Sequence, residues 1–181
     1  SFPTRRSSDL DIVHSYATGD VTGGDFTGAI PVFGVGGLVG FNAGGDIIRS
    51  YASGNVIAGD DMVVGGLVGA NVSDYLGYSS SNDIIRSYAT GTVIGGAYTG
   101  TSGIPLLGVG GLVGFNVGGD IIRSDAAGNV TAGDDMIVGG LVGFNVESDI
   151  VRSSASGDVT GGDYTGTSLI PLSGVGGLVG V

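Results

Sequence analysis

The stretch GVGGLVGFN at residues 34–42 occurs again, letter for letter, at residues 108–116. Close copies read VVGGLVGAN at 63–71 and IVGGLVGFN at 137–145, and a shortened copy, GVGGLVGV, occupies 174–181. A catalytic site needs a few unlike groups brought together once, whereas a phrase repeated at intervals indicates a stack of similar structural units. The first question that this sequence raises is therefore one of architecture.

Two further phrases recur along with the Gly-Gly-Leu-Val-Gly phrase. Asp-Ile-(Ile/Val)-(Arg/His)-Ser begins each unit, and Gly-x-Val always follows eight positions after its Asp, as from 11 to 19 and from 46 to 54. Insertions fall only at two corners, one on either side of the Gly-Gly-Leu-Val-Gly phrase. Invariant segments joined by corners of variable length are typical of a solenoid. We therefore divide residues 11–181 into five units of one domain: 11–45, 46–82, 83–119, 120–148 and 149–181.

The corner before Gly-Gly-Leu-Val-Gly alternates in length. It is long in the first, third and fifth units, which read GGDFTGAIPVFG, GGAYTGTSGIPLLG and GGDYTGTSLIPLSG. It is short in the second and fourth units, which read AGDDMVVG and AGDDMIVG. The other corner is long once, as VSDYLGYSSSN. The alternation indicates a super-repeat of two units.

Composition favours strands over helices. Val, Ile, Thr and Gly dominate, the sequence has 40 glycines, and no window keeps a 3.6-residue period without a glycine, which excludes helical solenoids. The predicted fold class is all-β, a parallel β-helix (solenoid) of about five coils with three strands per coil, in which each strand pairs with its copy ~4.8 Å away. An aligned β-sandwich is the alternative, but it gives no reason for near-identical strands.

In a β-helix the equivalent residues of successive coils lie above one another, and we call each such set a column. The repeated phrase predicts an apolar leucine column, formed by Leu38, Leu67, Leu112, Leu141 and Leu178. A valine column follows it one position later. Which residues point inward stays open, because strict alternation groups the leucines with glycines and the valines with apolar residues, and a bulge at the paired glycines would change the phase.

Charge and composition limit the partners. The net charge of −11 argues against nucleic acid and weakens attraction to anionic membranes, and no apolar run approaches the ~20 residues of a membrane helix. The chain has no Cys. Residues 1–10, SFPTRRSSDL, match nothing later and resemble a translated sequencing adapter, so they are left out of the fold prediction. Because the last unit breaks inside its phrase, we expect the chain to be part of a longer polypeptide.

The repeat resembles a known family. GGLVGFNAGGDIIRSYASGNV at 36–56 is similar to the GLUG motif, named for its Gly-Leu-(hydrophobic)-Gly signature, and GGLVGFNVGGDIIRSDAAGNV repeats it with small changes. The resemblance covers most of 11–181 and implies a β-helical segment. GLUG repeats occur in bacterial secreted and surface proteins, including adhesin-like proteins and the non-catalytic region of immunoglobulin A1 metallopeptidases. The resemblance does not imply peptidase activity, because the zinc motif His-Glu-x-x-His is absent from the sequence.

One position departs from the family pattern, which usually has a short polar residue before the Ser of Ser-Tyr-Ala. This chain has His14 there in the first unit and arginines in the others: Arg49, Arg86, Arg123 and Arg152. Stacked arginines repel one another, and the aspartates that open the units would offset that charge, although an exposed pair contributes only ~0–1 kcal/mol. The predicted role is a solvated structural column, with an anion-binding stripe as the alternative.

Acidic turns are the first candidates for chemistry. Asp60–Asp61 and Asp134–Asp135 are paired carboxylates of the kind that polysaccharide cleavage uses, but their repetition in AGDDM turns is typical of turn-forming residues. Asp-rich corners also suit calcium, yet the Gly-Gly-x-Gly-x-Asp nonapeptide of calcium-binding β-rolls does not occur. We predict no catalytic residue, no cofactor and no dedicated metal site, and leave calcium binding by the corners open.

The long corners are the candidate ligand-contact loops. They carry Phe26, Tyr98 and Tyr164, each followed by Thr-Gly and then by an Ile-Pro pair, at 30–31, 104–105 and 170–171. A row of aromatic rings suits contacts with sugar rings or with a protein partner. The alternative is that the rings pack over the outer face of their own sheet.

These features predict a non-enzymatic structural or adhesive segment of a secreted bacterial surface protein, acting as a stiff spacer or binding scaffold. We expect an extracellular, cell-surface location. The partner would be a host or environmental glycan or a protein, with no nucleic acid and no membrane insertion of this segment. The alternative is a non-catalytic accessory region of a large extracellular hydrolase or peptidase.

Overall fold

The chain forms a parallel β-helix in a computed structural model that describes residues 11–28, 34–73, 81–100, 107–166 and 173–181. Five sheets run along the axis, and every strand pairs in parallel with its equivalents in the neighbouring coils. The described residues contain strands, turns and bends but no helix. The predicted fold class, an all-β parallel β-helix of about five coils, is confirmed. Residues 1–10 and the Ile-Pro pairs of the long corners lie outside the described residues.

Three sheets are built from the Asp-Ile-Ile, Ser-Tyr-Ala and Gly-x-Val segments. Sheet 1 contains β1 (Ile12–Val13), β6 (Ile47–Ile48), β11 (Ile84–Ile85), β16 (Ile121–Ile122) and β21 (Ile150–Val151). Sheet 2 contains β2 (Tyr16–Ala17), β7 (Tyr51–Ala52), β12 (Tyr88–Ala89), β17 (Asp125–Ala126) and β22 (Ser154–Ala155). Sheet 3 contains β3 (Val21–Thr22), β8 (Val56–Ile57), β13 (Val93–Gly95), β18 (Val130–Ala132) and β23 (Val159–Thr160).

Two sheets are built from the phrase around Gly-Gly-Leu-Val-Gly. Sheet 4 contains β4 (Gly34–Gly36), β9 (Val63–Gly65), β14 (Gly108–Gly110), β19 (Ile137–Gly139) and β24 (Gly174–Gly176). Sheet 5 contains β5 (Val39–Asn42), β10 (Val68–Val72), β15 (Val113–Val117) and β20 (Val142–Val146). A single bridge between Val142 and Val179 continues sheet 5 into the last coil.

Among the described residues, the first four coils have five short strands each and the last has four strands and a bridge, rather than the three predicted, because two of the predicted strands are bent. One bends at the Arg or His position between sheets 1 and 2, where φ is 51° at His14 and 50° at Arg49. The other bends at Gly37-Leu38, between β4 and β5. The predicted number of strands per coil was therefore wrong, because a bend inside a continuous apolar segment does not change the hydrophobic periodicity of that segment.

The interior is divided into two hydrophobic clusters. Cluster 1 lies between sheets 3 and 4, where Val56 and Val93 join Val64 and Val109 in one fully buried group. Cluster 2 joins sheets 1, 2 and 5 and is fully or almost fully buried in its centre, at Ile84, Ala89, Leu112 and Val113. Between the clusters, sheets 4 and 5 lie backbone against backbone.

Glycine permits that close approach of sheets 4 and 5. A Cβ on Gly36 would lie 2.1 Å from Val39 O in its own coil and 2.6 Å from Gly69 N in the next. The second glycine of the phrase lies against the carbonyl of its copy, so that a Cβ on Gly111 would be 2.1 Å from Gly140 O. The phrase repeats because a coil that is covered by a following coil has no room for a side chain at these positions.

The bend also determines which side chains point inward. Val64, before the bend, belongs to cluster 1, whereas Leu67 and Val68, after it, are fully buried in cluster 2. Both the leucine and the valine of the phrase therefore face the interior, and the change of phase that the sequence left open occurs at the bend. Backbone N–H groups hold the leucines one coil apart, as between Leu38 N and Leu67 O at 2.9 Å.

Two buried polar columns flank sheet 1. In the asparagine column, each Nδ2 donates to Oδ1 of the next coil at 2.8 Å, joining Asn42, Asn71, Asn116 and Asn145. In the serine column, Ser50 N donates to Ser87 Oγ at 3.1 Å, and Ser87 N donates to Ser124 Oγ at 3.1 Å. Buried hydrogen bonds of this kind fix the register of one coil on the next.

Candidate functional site

The arginine column lies on the bend between sheets 1 and 2. Its four arginines and His14 are all exposed, and φ lies between 50° and 53° at every one of the five positions. The backbone of sheet 1 sets the spacing, because Arg49 N donates to Ile85 O and Arg86 N donates to Ile122 O, both at 2.9 Å. The structure thus brings together Arg49, Arg86, Arg123 and Arg152 in one line along the axis.

This backbone conformation is unfavourable for arginine. The left-handed region costs a residue with a Cβ about 1–2 kcal/mol, and only Gly, with Asn and Asp to a lesser degree, adopts it routinely. A short polar residue suits such a bend, which gives a physical reason for the family pattern from which this chain departs. The arginines are therefore held in place by the coil rather than favoured by it.

The opening aspartates bind backbone instead of the arginines. Asp46 Oδ1 accepts from Asp83 N at 3.0 Å, and Asp83 Oδ1 accepts from Asp120 N at 2.9 Å. In the part of the chain that the structure describes, no carboxylate forms a salt bridge with any of the four arginines, and Arg49 Nη1 lies 3.4 Å from His14 Nε2. The aspartate column offsets the arginine charge only at longer range, because its carboxylates hold successive coils together.

A tyrosine column, formed by Tyr16, Tyr51 and Tyr88, lies two residues further on, at sheet 2. The ring centroids are 5.3 Å apart between the first two and 4.9 Å apart between the second two, and the rings are stacked. Tyr16 is 65% exposed and Tyr88 is 42% exposed. Because each ring covers the face of the next, the column presents ring edges to solvent. We did not predict this column, although Ser-Tyr-Ala occurs in each of the first three units.

The paired aspartates support the corner of the following coil. Asp60 Oδ1 accepts from Ala97 N at 2.8 Å, and Asp61 accepts from both Thr99 N, at 3.0 Å, and the Thr99 hydroxyl. Asp61 is 1% exposed and has a φ of 58°. A carboxylate that accepts two hydrogen bonds from the neighbouring coil serves to hold the two coils together.

The second super-repeat builds the same clamp. Asp134 Oδ1 accepts from Asp163 N at 2.7 Å, and Asp135 accepts from Thr165 N, at 2.8 Å, and from the Thr165 hydroxyl. A short corner with its aspartate pair thus lies against the long corner of the next coil in both cases.

The three aromatic residues of the long corners do not form an exposed row. Backbone bonds place them in one column with the clamp aspartates: Phe26 N donates to Asp60 O, and Tyr98 N donates to Asp134 O, both at 2.9 Å. Tyr98 is 7% exposed and belongs to cluster 1, and Phe26 packs against the same cluster. Tyr164 is 51% exposed. Tyr98 and Phe26 therefore join the packing of the interior cluster between sheets 3 and 4.

Two further findings concern the described residues alone. No group of three or more His, Asp or Glu side chains is arranged there to hold a metal ion. Nor do these residues contain a helix that is long and apolar enough to cross a bilayer.

Comparison with family models matches two parts of the chain, residues 32–57 and 135–160, to the GLUG motif. The chain carries GLUG repeats. Each GLUG match begins before sheet 4 of one coil and ends in sheet 3 of the next, so it contains the glycine bend, the asparagine, the arginine and the serine. Each match includes only the last two residues of the corner between sheets 3 and 4. No match was found to curated proteins or to solved structures.

Proposed function

We propose that this chain is a non-catalytic, stiff segment of a larger secreted bacterial surface protein. It would hold a binding or catalytic region away from the cell, or display its own surface to a glycan or a protein. The observation that carries this proposal is the continuity of the columns. In the second unit, the corner between sheets 5 and 1 is lengthened, and Asn71 Nδ2 donates to Asn82 O across it at 2.8 Å. The insertion therefore leaves the stacking of sheets 5 and 1 intact.

The use of the carboxylates supports a non-catalytic role. The residues best suited to acid–base chemistry, Asp61 and Asp135, are buried and bind Thr99 and Thr165 of the next coil. The GLUG repeats are compatible with a repeat region of a larger protein. An accessory region of a larger extracellular hydrolase or peptidase would require the same stiffness, and the complete reading frame would separate these two contexts.

The spacer role is tested by removing one super-repeat. Deletion of residues 46–119 joins the first coil to the fourth and keeps the alternation of long and short corners. We expect the molecule to shorten along its axis by about 10 Å, two coil spacings, so that the radius of gyration in small-angle X-ray scattering falls while the β-sheet circular dichroism per residue is unchanged. A shortened variant with an unchanged radius of gyration would contradict the spacer.

The location is tested separately. An antibody raised against the chain should label intact cells of the source bacterium, or its culture medium, without lysis. Labelling only after lysis would contradict a secreted surface role.

A further inference from the structure

We infer that the arginine column binds a linear acidic polysaccharide that lies along the axis of the β-helix. The inference goes beyond the spacer role and does not depend on it. A spacer requires stacked coils, whereas this site requires particular side chains on one bend.

The first observation is the choice of residue at a strained position. The other non-glycine residues with a positive φ are Asp61, Asp135 and Glu147 among the described residues. Asp61 and Asp135 use that conformation to bind the next coil through their side chains. In the described part of the molecule the side chains of Arg86, Arg123 and Arg152 make no hydrogen bond. No side-chain hydrogen bond of these three arginines therefore offsets the unfavourable backbone within the coil, whereas contacts with an external ligand would.

The second observation is the arrangement of the positive charges of the arginine column. Four exposed guanidinium groups follow one another at the coil spacing of ~4.8 Å in a single line. The nearest acidic residue in sequence, Asp125, accepts a hydrogen bond from Ser154 Oγ at 2.6 Å. The opening aspartates accept backbone N–H groups. The net charge of −11 acts mainly at longer range, where salt screens it beyond ~8 Å.

The third observation is what flanks the arginines. On one side, the position before His14 and before each arginine forms an aliphatic column, in which Val13 is 43% exposed and Val151 is 41% exposed. On the other side lies the tyrosine column, with its ring edges outward. The aliphatic, cationic and phenolic columns together offer a sugar chain apolar contact, charge pairing and hydrogen bonding in the second and third coils, whereas Asp125 and Ser154 take the place of the tyrosine in the fourth and fifth.

An acidic polysaccharide fits these columns better than a nucleic acid does. The planar arginine fork binds a carboxylate or a sulfate through paired hydrogen bonds. An extended sugar residue is about as long as one coil is high, so that acidic groups along the polymer repeat at about the spacing of the arginines, or at twice that spacing where successive residues alternate in direction. Single-stranded nucleic acids bind by stacking bases on free aromatic faces, and the stacked tyrosines cover one another's faces.

The test is binding of the full chain to four probes at low and high salt, measured by isothermal titration calorimetry. The probes are polygalacturonate, dextran sulfate, neutral dextran and a single-stranded oligonucleotide. The variant carries Arg49→Asn, Arg86→Asn, Arg123→Asn and Arg152→Asn, because Asn tolerates the left-handed backbone and keeps the coils folded. A second variant replaces the same four residues by Lys, which retains the charge.

We expect polygalacturonate, dextran sulfate or both to bind at low salt and to weaken as salt rises, with neutral dextran not binding. The Asn variant should lose about tenfold or more in affinity, the sum expected of four exposed ion pairs, and the Lys variant should lose less. Preference between the two acidic polymers would identify the acidic group. No binding to either polymer, binding that the Asn variant keeps, or tighter binding of the oligonucleotide than of both polymers would overturn the proposal. The radius of gyration measured for the super-repeat deletion is unaffected by any of these outcomes.

Discussion

At the scale of the residue, the bend between sheets 1 and 2 has a backbone conformation that its own residues do not favour. The backbone there suits Gly or Asn, yet four of the five coils have arginine, at φ values of 50° to 53°. Each arginine carries the cost of the left-handed region and lies one coil away from a like charge. These positions are where single substitutions should stabilise the protein.

Arg123→Asn is expected to raise the free energy of unfolding by about 1 kcal/mol, because Asn adopts the left-handed region more readily than Arg. Urea unfolding followed by circular dichroism measures the change. The control is Arg123→Ala, which also removes the charge but keeps an ordinary Cβ on the same backbone. If Asn proves no more stable than Ala, backbone strain is not the cause.

At the scale of the element, the glycine phrase sets how closely sheets 4 and 5 approach. A Cβ on Gly111 would meet Gly140 O at 2.1 Å and Ala126 Cβ at 2.9 Å. A Cβ on Gly177, the same position in the last coil, would meet nothing within 4 Å. Gly111 and Gly177 are therefore a matched pair of sites for the same substitution, one crowded and one open.

Gly111→Ala should lower the free energy of unfolding by about 3 kcal/mol, since the clash is with backbone that cannot move without separating two coils. Gly177→Ala should change it by no more than ~0.5 kcal/mol. Denaturant unfolding of both variants makes the comparison. Equal effects at the two sites would mean that close stacking does not explain the glycines.

The clamp between corners is the second feature at this scale. Asp61 and Thr99 should show a coupling of about 1 kcal/mol in a double-mutant cycle of Asp61→Asn and Thr99→Val, measured by urea unfolding. Thr27→Val is the control, because Thr27 is the equivalent residue of the first long corner and is exposed. Coupling near zero would show that the aspartate pair does not hold the next corner.

Elements were only partly predictable from sequence, for reasons that particular residues make clear. The parallel pairing of the coils followed from near-identical segments. The bends did not, because Arg49 gives no signal of a left-handed backbone and Leu38 sits inside an apolar run. The position of Tyr98 inside cluster 1 was not predicted, since the two arrangements considered from sequence were an exposed ligand contact and a cover over the outer face of the sheet.

At the scale of the whole molecule, the polar and apolar columns make one continuous stack. The asparagine column crosses four coils with bonds of 2.8 Å, and every sheet keeps the same neighbours from coil to coil. The repeat was sufficient to predict this order because each coil must offer its neighbour the same surface. The ligand was not predictable in the same way, since recognition depends on the few side chains that the stack leaves exposed.

The central claim is that the coils stack in register along one axis, and spin-label distances test it directly. Thr22, Ile57, Ile94, Thr131 and Thr160 form one column on sheet 3, and the chain has no cysteine of its own to interfere with labelling. Cysteine pairs at 22 and 160, 22 and 131, and 57 and 160 would be labelled and measured by double electron–electron resonance.

The first pair spans four coil steps, or about 19 Å at the spacing of parallel strands. We predict that the other two pairs, each spanning three steps, give equal distances that are shorter than the first by about 4.8 Å. Distances that differ between the two shorter pairs, or that do not fall when one coil is removed from the span, would contradict the stacking of equivalent residues along the axis.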